Sequence, residues 1–211
     1  MTSSQEHLTL GAILYKGFEL LDLYGPLEMF GTTEPKIEIV TVAENTGPVA
    51  STQGPQTVAE FDYTTCPPLD LILLPGGWGT LEQVENPAIL SFLNDRAPSA
   101  KFIMSVCTGS WILAKAGLLD GRRATSNKIH FYLGSQFGDR VEWVSEARWV
   151  EDGPIFTASG VSAGMDMSLA VIASLFGDKT ANDVAIGAEY VWNRDPNSDP
   201  FHQYLNMKAP K

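Results

Sequence analysis

Basic residues, cysteines, histidines and long apolar runs are all scarce in this chain of 211 residues. Its 14 lysines and arginines stand against 25 aspartates and glutamates, which gives a formal net charge of −11. The longest basic run is the pair Arg122 and Arg123, whereas a phosphate-binding face needs clustered cations that displace counterions. We therefore expect neither a nucleic-acid partner nor a surface that binds anionic membranes.

The segments that direct a protein into or across a membrane are also missing from the sequence. The amino terminus, MTSSQEHLTL, lacks the basic segment and long apolar core of a secretory signal. No stretch reaches the roughly 20 uninterrupted apolar residues that a transmembrane helix needs. Two cysteines, Cys66 and Cys107, are too few for a disulfide scaffold. We expect a cytoplasmic protein in which both cysteines are free thiols.

Neither a metal site nor a cofactor site is indicated. The three histidines have no spacing with Cys or Asp that suggests a ligand set. The segment PGGWGT is rich in glycine, but it lacks the GxGxxG spacing and the downstream acid of a dinucleotide site. We expect a protein that works on a small molecule without a cofactor.

Apolar, β-branched runs alternate with segments of helical periodicity, which is typical of a parallel sheet covered by helices. The patterns predict strands over residues 8–15, 37–43, 69–74 and 101–106, and helices over 24–30, 87–96, 108–116, 162–176 and 179–193. The run LDLILLPGG is apolar on both faces, so it predicts a central strand that ends in a glycine turn. An antiparallel ribbon turning near Gly54-Pro55 and a hairpin at Asp152-Gly153 are also predicted.

The length fits one domain over residues 1–211, since domains usually hold roughly 100–200 residues. Residues 195–211 are rich in Pro and Asn. We expect this tail to wrap the surface or to be partly mobile.

The most informative segment is KFIMSVCTGSWILAKAGLL, in which an apolar strand runs into Cys107 without a loop and a helix begins directly after it. A side chain at such a turn is presented at the carboxyl edge of the sheet. The helix N-terminus favours a thiolate, so we expect a lowered pKa for Cys107 and rapid alkylation. Cys66 precedes Pro67-Pro68 and has the pattern of a small buried hydrophobe.

Asp22 is the candidate acid. It lies in the apolar segment LLDLYGP, where a buried carboxylate without a partner is costly. Asp22 can serve as an acid of the site, as the N-cap of the following helix, or as both. His130 is the histidine on which a Cys-His-acid triad would depend, although a packing role is the commoner one for such a residue.

Four segments together resemble the DJ-1/PfpI superfamily: LLDLYGP, CPPLDLILLPGG, SVCTGSWILAKAGLLDGRRAT and SGVSAGMDMSLAVIASLFG. Within that superfamily the chain is similar to the isonitrile (isocyanide) hydratases and to related amidotransferase-like domains. The resemblance implies a flavodoxin-like three-layer α/β sandwich with a mainly parallel central sheet, a cysteine nucleophile at the elbow and a homodimer.

The resemblance also implies roles for individual residues. Cys107 is the nucleophile, Thr108 its neighbour and Asp22 its acidic partner. Gly76 and Gly77 match a glycine turn whose backbone amide joins that of Thr108 in an oxyanion-hole-like nest. The chain departs from the pattern at Asn127 and Lys128, where relatives commonly carry a histidine or an aromatic residue, and these two side chains are expected to reshape the pocket.

The resemblance and the candidate residues together suggest three functions, and the substrate of the first is implied by the resemblance alone. The first is hydration of an isocyanide to an N-substituted formamide through a thioimidate at Cys107. The second is a glyoxalase-like or deglycase-like activity on 2-oxoaldehydes, which also needs a reactive cysteine and an acid. The third is a ligand-sensing module, since similar domains occur fused to helix-turn-helix regulators. We expect the third least, because the chain is acidic and ends before such a region.

Overall fold

The computed structural model describes residues 7–205. The strands run in the order β1 Leu8–Ile13, β2 Ile37–Ala43, β3 Gly47–Ala50, β4 Gln56–Ala59, β5 Phe61–Asp62, β6 Leu71–Leu74, β7 Phe102–Val106, β8 Arg123–Ala124, β9 Glu142–Trp143, β10 Trp149–Asp152 and β11 Ile155–Ala158. The α-helices are α1 Leu20–Gly31, α2 Thr80–Gln83, α3 Pro87–Arg96, α4 Gly109–Lys115, α5 Ala163–Phe176 and α6 Asp178–Gly187. Short 3-10 helices cover Ala97–Ser99, Phe131–Gln136 and His202–Tyr204.

Seven strands form one sheet in the order β10-β11-β7-β6-β1-β2-β5. All neighbours in it are parallel except β10 and β11, which form the hairpin predicted at Asp152-Gly153. β6 lies between β7 and β1 with all four of its residues buried, as its continuous apolar run predicts. β3 and β4 pair as the predicted antiparallel ribbon. Helices pack in two groups, α1 with α5 and α6, and α4 with α2 and α3. The flavodoxin-like α/β fold is confirmed.

Two helix boundaries differ from the prediction. α1 begins at Leu20 rather than at residue 24, and Pro26 lies inside it. Asp22 is therefore in the first turn, so the N-cap assignment was wrong; the N-cap is Glu19. α6 ends at Gly187 rather than at residue 193, because the chain beyond it turns towards the carboxylate of Asp166.

Charged side chains are buried beneath the described part of the tail. Arg148 forms an ion pair with Asp166 on α5 at 2.9 Å and another with Asp199 in the tail at 3.6 Å. Asp199 also lies 3.8 Å from the ammonium of Lys128, and the backbone N–H of Arg148 donates to the carbonyl of Pro196 at 2.7 Å. Residues 206–211 of the predicted tail lie outside the described residues. Within residues 7–205, no helix is both long and apolar enough to span a bilayer.

Candidate active site

The turn between β7 and α4 holds Cys107 in a strained conformation at the carboxyl edge of the sheet. Its φ is 59°, in the left-handed region that residues with side chains rarely adopt. The backbone N–H of Cys107 donates to the carbonyl of Ser159 at 2.8 Å, and its own carbonyl accepts from the hydroxyls of Ser110 at 3.0 Å and Ser126 at 3.1 Å. These partners fix the strained backbone, which is how such conformations persist at functional sites.

The glycine turn after β6 packs directly against this elbow. A Cβ atom at Gly76 would lie 2.6 Å from the backbone nitrogen of Thr108 and 2.9 Å from Cβ of Cys107. Only a residue without a side chain therefore lets β6 and the elbow approach each other this closely.

Asp22 lies beneath the elbow, fully buried. Its Oδ2 accepts the backbone N–H of Gly76 at 2.8 Å, while Oδ1 has no partner of good hydrogen-bond geometry among residues 7–205. Burial raises the pKa of Asp22 to about 8, against the opposing effect of the Gly76 hydrogen bond, and the charge of Glu19 raises it further. The neighbouring Cys107 thiol lowers the pKa of Asp22, because it favours the charged carboxylate. Asp22 is therefore protonated at neutral pH and lies beside the sulfur.

The expected lowering of the Cys107 pKa is contradicted by the structure. Burial raises that pKa well above its usual range, and the negative charge of Asp22 raises it further. The N–H of Thr108 and the side chain of Asn127 lower the pKa of Cys107, but by less than burial and Asp22 raise it. α4 has only seven residues, so its dipole lowers the pKa of Cys107 too little to offset burial and the nearby carboxylate. The resting site holds a neutral thiol beside a carboxylic acid.

Thr108 takes part in a directed chain of hydrogen bonds. The hydroxyl of Tyr15 donates its single hydrogen to the carbonyl of Pro75 at 2.6 Å, so Thr80 must be the donor in its 3.0 Å contact with Tyr15. Thr108 is then the donor in its 2.8 Å contact with Thr80 and accepts the N–H of Gly77 at 3.1 Å. Neither glycine amide of the expected nest is free, since the N–H of Gly77 donates to Thr108 and the N–H of Gly76 donates to Asp22.

A small pocket opens above the sulfur, with a volume of about 150 Å³. It brings together Cys107, Thr108 and Gly77, as expected, and adds residues from four other segments. Its lining is Glu19, Gly77, Trp78, Leu81, Cys107, Thr108, Trp111, Asn127, His130, Leu133 and Val161. Glu19 is its single charged side chain. Sequence reasoning missed Glu19, whose only signal is its position at the start of the apolar segment that contains Asp22.

Of the other residues considered from the sequence, two line the pocket and two do not. The ring of His130 lies edge-on against Trp78 with 5.5 Å between centroids, and among residues 7–205 no hydrogen bond joins it to Cys107. The ammonium of Lys128 points elsewhere, donating to Thr125 Oγ1 at 2.8 Å and to the carbonyl of Ala147 at 2.7 Å. Cys66 is buried in the connection before β6. A Cys-His-acid triad is not assembled in the described part of the chain.

Asn127 has a fixed orientation at the side of the pocket. Its Oδ1 accepts the backbone N–H groups of Ile129 at 3.0 Å and His130 at 3.2 Å. Its Nδ2 lies over Gly160, where a Cβ atom would be only 2.9 Å away. Within residues 7–205, no three His, Cys, Asp or Glu side chains form a group that could hold a metal ion.

Comparison with known proteins places this geometry in a family. The model of the DJ-1/PfpI family matches residues 11–174. The chain belongs to the DJ-1/PfpI family. It is 35% identical over 188 residues to isonitrile hydratase from Pseudomonas putida, covering 87% of this chain and 78% of that protein. A ThiJ/PfpI family protein from Pseudomonas syringae has a crystal structure that is 34% identical, with a TM-score of 0.81 over 94% of this chain and 84% of that one.

The chain is also similar to part of a transcriptional regulator. The chain is 30% identical over 164 residues to the HTH-type transcriptional regulator CdhR of Pseudomonas aeruginosa. That match covers 76% of this chain but only 46% of the regulator. The proteins similar to this chain therefore include both an enzyme and a transcriptional regulator, and the chemistry of the pocket must distinguish between such roles.

Proposed function

We propose that this chain is an isonitrile hydratase, which converts R–N≡C and water into the formamide R–NH–CHO. The observation that carries the proposal is that Cys107 lines a small pocket while the carboxyl group of Asp22, fully buried behind that lining, lies beside the thiol, with both groups neutral at rest. The similarity to isonitrile hydratase over most of both chains supports the same reaction.

The lining of the pocket suits an uncharged substrate with an apolar substituent. Trp78, Leu81, Trp111 and Leu133 form much of the wall, and neither lysine nor arginine lines it. A carboxylate or phosphate substrate would enter this pocket without a cation to compensate its charge. An isonitrile carries no net charge, and its terminal carbon is electrophilic towards a soft thiolate.

Asp22 gives up its proton before Cys107 does, so loss of one proton from the pair leaves a carboxylate beside a thiol. Transfer of the thiol proton to Asp22 then gives the reactive form, in which Cys107 is a thiolate and Asp22 a carboxylic acid. The sulfur attacks the terminal carbon, a C–S bond forms, and the carbon takes the proton of Asp22, leaving the thioimidate R–N=CH–S. The Asp22 carboxylate now draws a proton from water as the oxygen adds to the thioimidate carbon, and that proton passes to nitrogen. The product is R–NH–CH(OH)–S attached to Cys107.

The last step returns the enzyme to its starting state. The hydroxyl proton moves to Asp22, a C=O bond forms and the C–S bond breaks, which releases the formamide and the Cys107 thiolate. Every proton moves through one buried carboxyl group, whose pKa of about 8 lies close to neutral pH, where a group can both accept and donate a proton.

The test uses purified protein and cyclohexyl isocyanide, with formamide followed by proton NMR. We expect turnover in the parent protein and in Cys66→Ala, and none in Cys107→Ala, because Cys66 lies in the connection before β6 and does not line the pocket. Methylglyoxal is assayed in parallel. Turnover of methylglyoxal alone would favour the glyoxalase-like alternative, and saturable isocyanide binding without formamide would favour a sensing domain; either result overturns the proposal.

A further inference from the structure

The sulfur of Cys107 needs a donor to hold its negative charge, and the expected donors are engaged. The amide of Gly77 donates to Thr108 Oγ1 at 3.1 Å, and that of Gly76 donates to Asp22 at 2.8 Å. The backbone N–H of Thr108 lowers the pKa of the Cys107 thiol, but it does not outweigh burial. The negative charges of Asp22 and Glu19 both oppose ionisation of the thiol.

Asn127 is placed to supply a second donor. Its side chain lines the same pocket as Cys107, and its two backbone hydrogen bonds, from Ile129 and His130, fix which end is oxygen. The NH₂ end therefore faces away from these amides, over Gly160, where the missing side chain leaves room for it.

We propose that Asn127 Nδ2 donates a hydrogen bond to the Cys107 sulfur and stabilises it whenever it is a thiolate, before attack and again as the leaving group. Donation to Cys107 lowers the pKa of the thiol, against the raising effects of burial and Asp22. This role in turnover rests on the proposed hydratase reaction, whereas the donation itself does not.

The donation is measurable without any isonitrile. In a Cys66→Ser background, the rate of Cys107 alkylation by iodoacetamide is followed by intact mass between pH 6 and pH 10. The other titratable groups around the sulfur, Asp22, Glu19, Tyr15 and His130, are the same in every variant. Cys107→Ala shows the background rate.

Asn127→Ser separates donation from a structural role. Serine can still accept the amides of Ile129 and His130, but it carries no amide donor. We expect the alkylation rate at pH 8 to fall by about tenfold or more and its pH profile to move upward, since hydrogen bonds to charged groups are the stronger ones. kcat for cyclohexyl isocyanide should fall with it.

Asn86→Ser is the matched control. Asn86 caps α3 by accepting the N–H of Ala88 at 2.9 Å, and it lies away from the pocket lining. This variant should alkylate at the parent rate. Asn127→Thr is the second variant if Asn127→Ser does not fold, because threonine keeps an acceptor for both amides and adds no charge beside the sulfur; it too should react slowly. A parent-like pH profile in either folded Asn127 variant overturns the assignment, and it would do so even if isonitrile hydration were confirmed.

Discussion

Replacing Asp22 by asparagine should stabilise the protein while removing its activity. Asp22 holds its proton up to about pH 8 in the folded protein, whereas the same side chain in an unfolded chain ionises near 3.8. Between these values the folded state binds one proton more than the unfolded state. The free energy of unfolding of the parent therefore falls by about 1.4 kcal/mol for each pH unit because of this group alone.

An asparagine at this position keeps the acceptor for the Gly76 N–H but cannot ionise in either state. The gap in stability between Asp22→Asn and the parent should be small near pH 4 and should reach about 4 kcal/mol at pH 7, the free energy of the 3.2 pH units above 3.8. Ionisations of other groups are common to both proteins and cancel in the difference. Turnover should fall by about 100-fold or more, the scale of general acid–base catalysis.

Urea unfolding at pH 5, 6, 7 and 7.5 measures the gap directly. Asp62→Asn is the matched control, because hydrogen bonds from Thr64 and Thr65 hold the pKa of that surface carboxylate at about 2. Asp62 is ionised in both states over this range, so its gap should not change with pH. A gap for Asp22→Asn that is equally flat would mean that Asp22 is ionised in the folded protein, and the acid role would fail with it.

Three other measurements test different parts of the site and the assembly. kcat/KM for an isonitrile should rise about tenfold per pH unit and level off near pH 8, since the reactive pair must lose one proton; a decline between pH 6 and pH 8 would contradict this. Gly76→Ala should lower the free energy of unfolding by about 1–3 kcal/mol through overpacking against Thr108. Gly31→Ala is the control, because its Cβ would lie 3.6 Å from Ile39, and it should be neutral or slightly stabilising. Equal stability of the two variants would refute the close approach of Gly76 to the elbow. Analytical ultracentrifugation should give a homodimer at micromolar concentration, a prediction that rests on family resemblance, and a mass near 22.9 kDa would count against it.

The parts of this protein that depend on local pattern were predictable. The alternation of apolar runs and helical segments specified the parallel sheet, and the absence of a loop between β7 and α4 identified the Cys107 elbow. The start of α1 at Leu20 could not be predicted, because Gly25-Pro26 is typical of a helix boundary and here lies inside the helix.

The electrostatics of the site depend on contacts that no local pattern encodes. The pKa of Cys107 is governed by its burial and by Asp22, which reaches it from a different helix. The hydrogen-bond chain from Gly77 to Tyr15 likewise joins three separate segments. The sequence placed the right residue types near one sheet edge, but the sign of the Cys107 shift required the folded geometry.

The buried ion pairs beneath the tail have a consequence for any shortened form of this protein. Lys128, Asp199, Arg148 and Asp166 carry two positive and two negative charges in the interior, and one of the negative charges comes from the tail. A variant that ends before Pro196 would leave that interior cluster with an excess cation, which is comparable to burying an unpaired lysine. Trimming the end of this chain to aid crystallisation or fusion would therefore act as a mutation of its core.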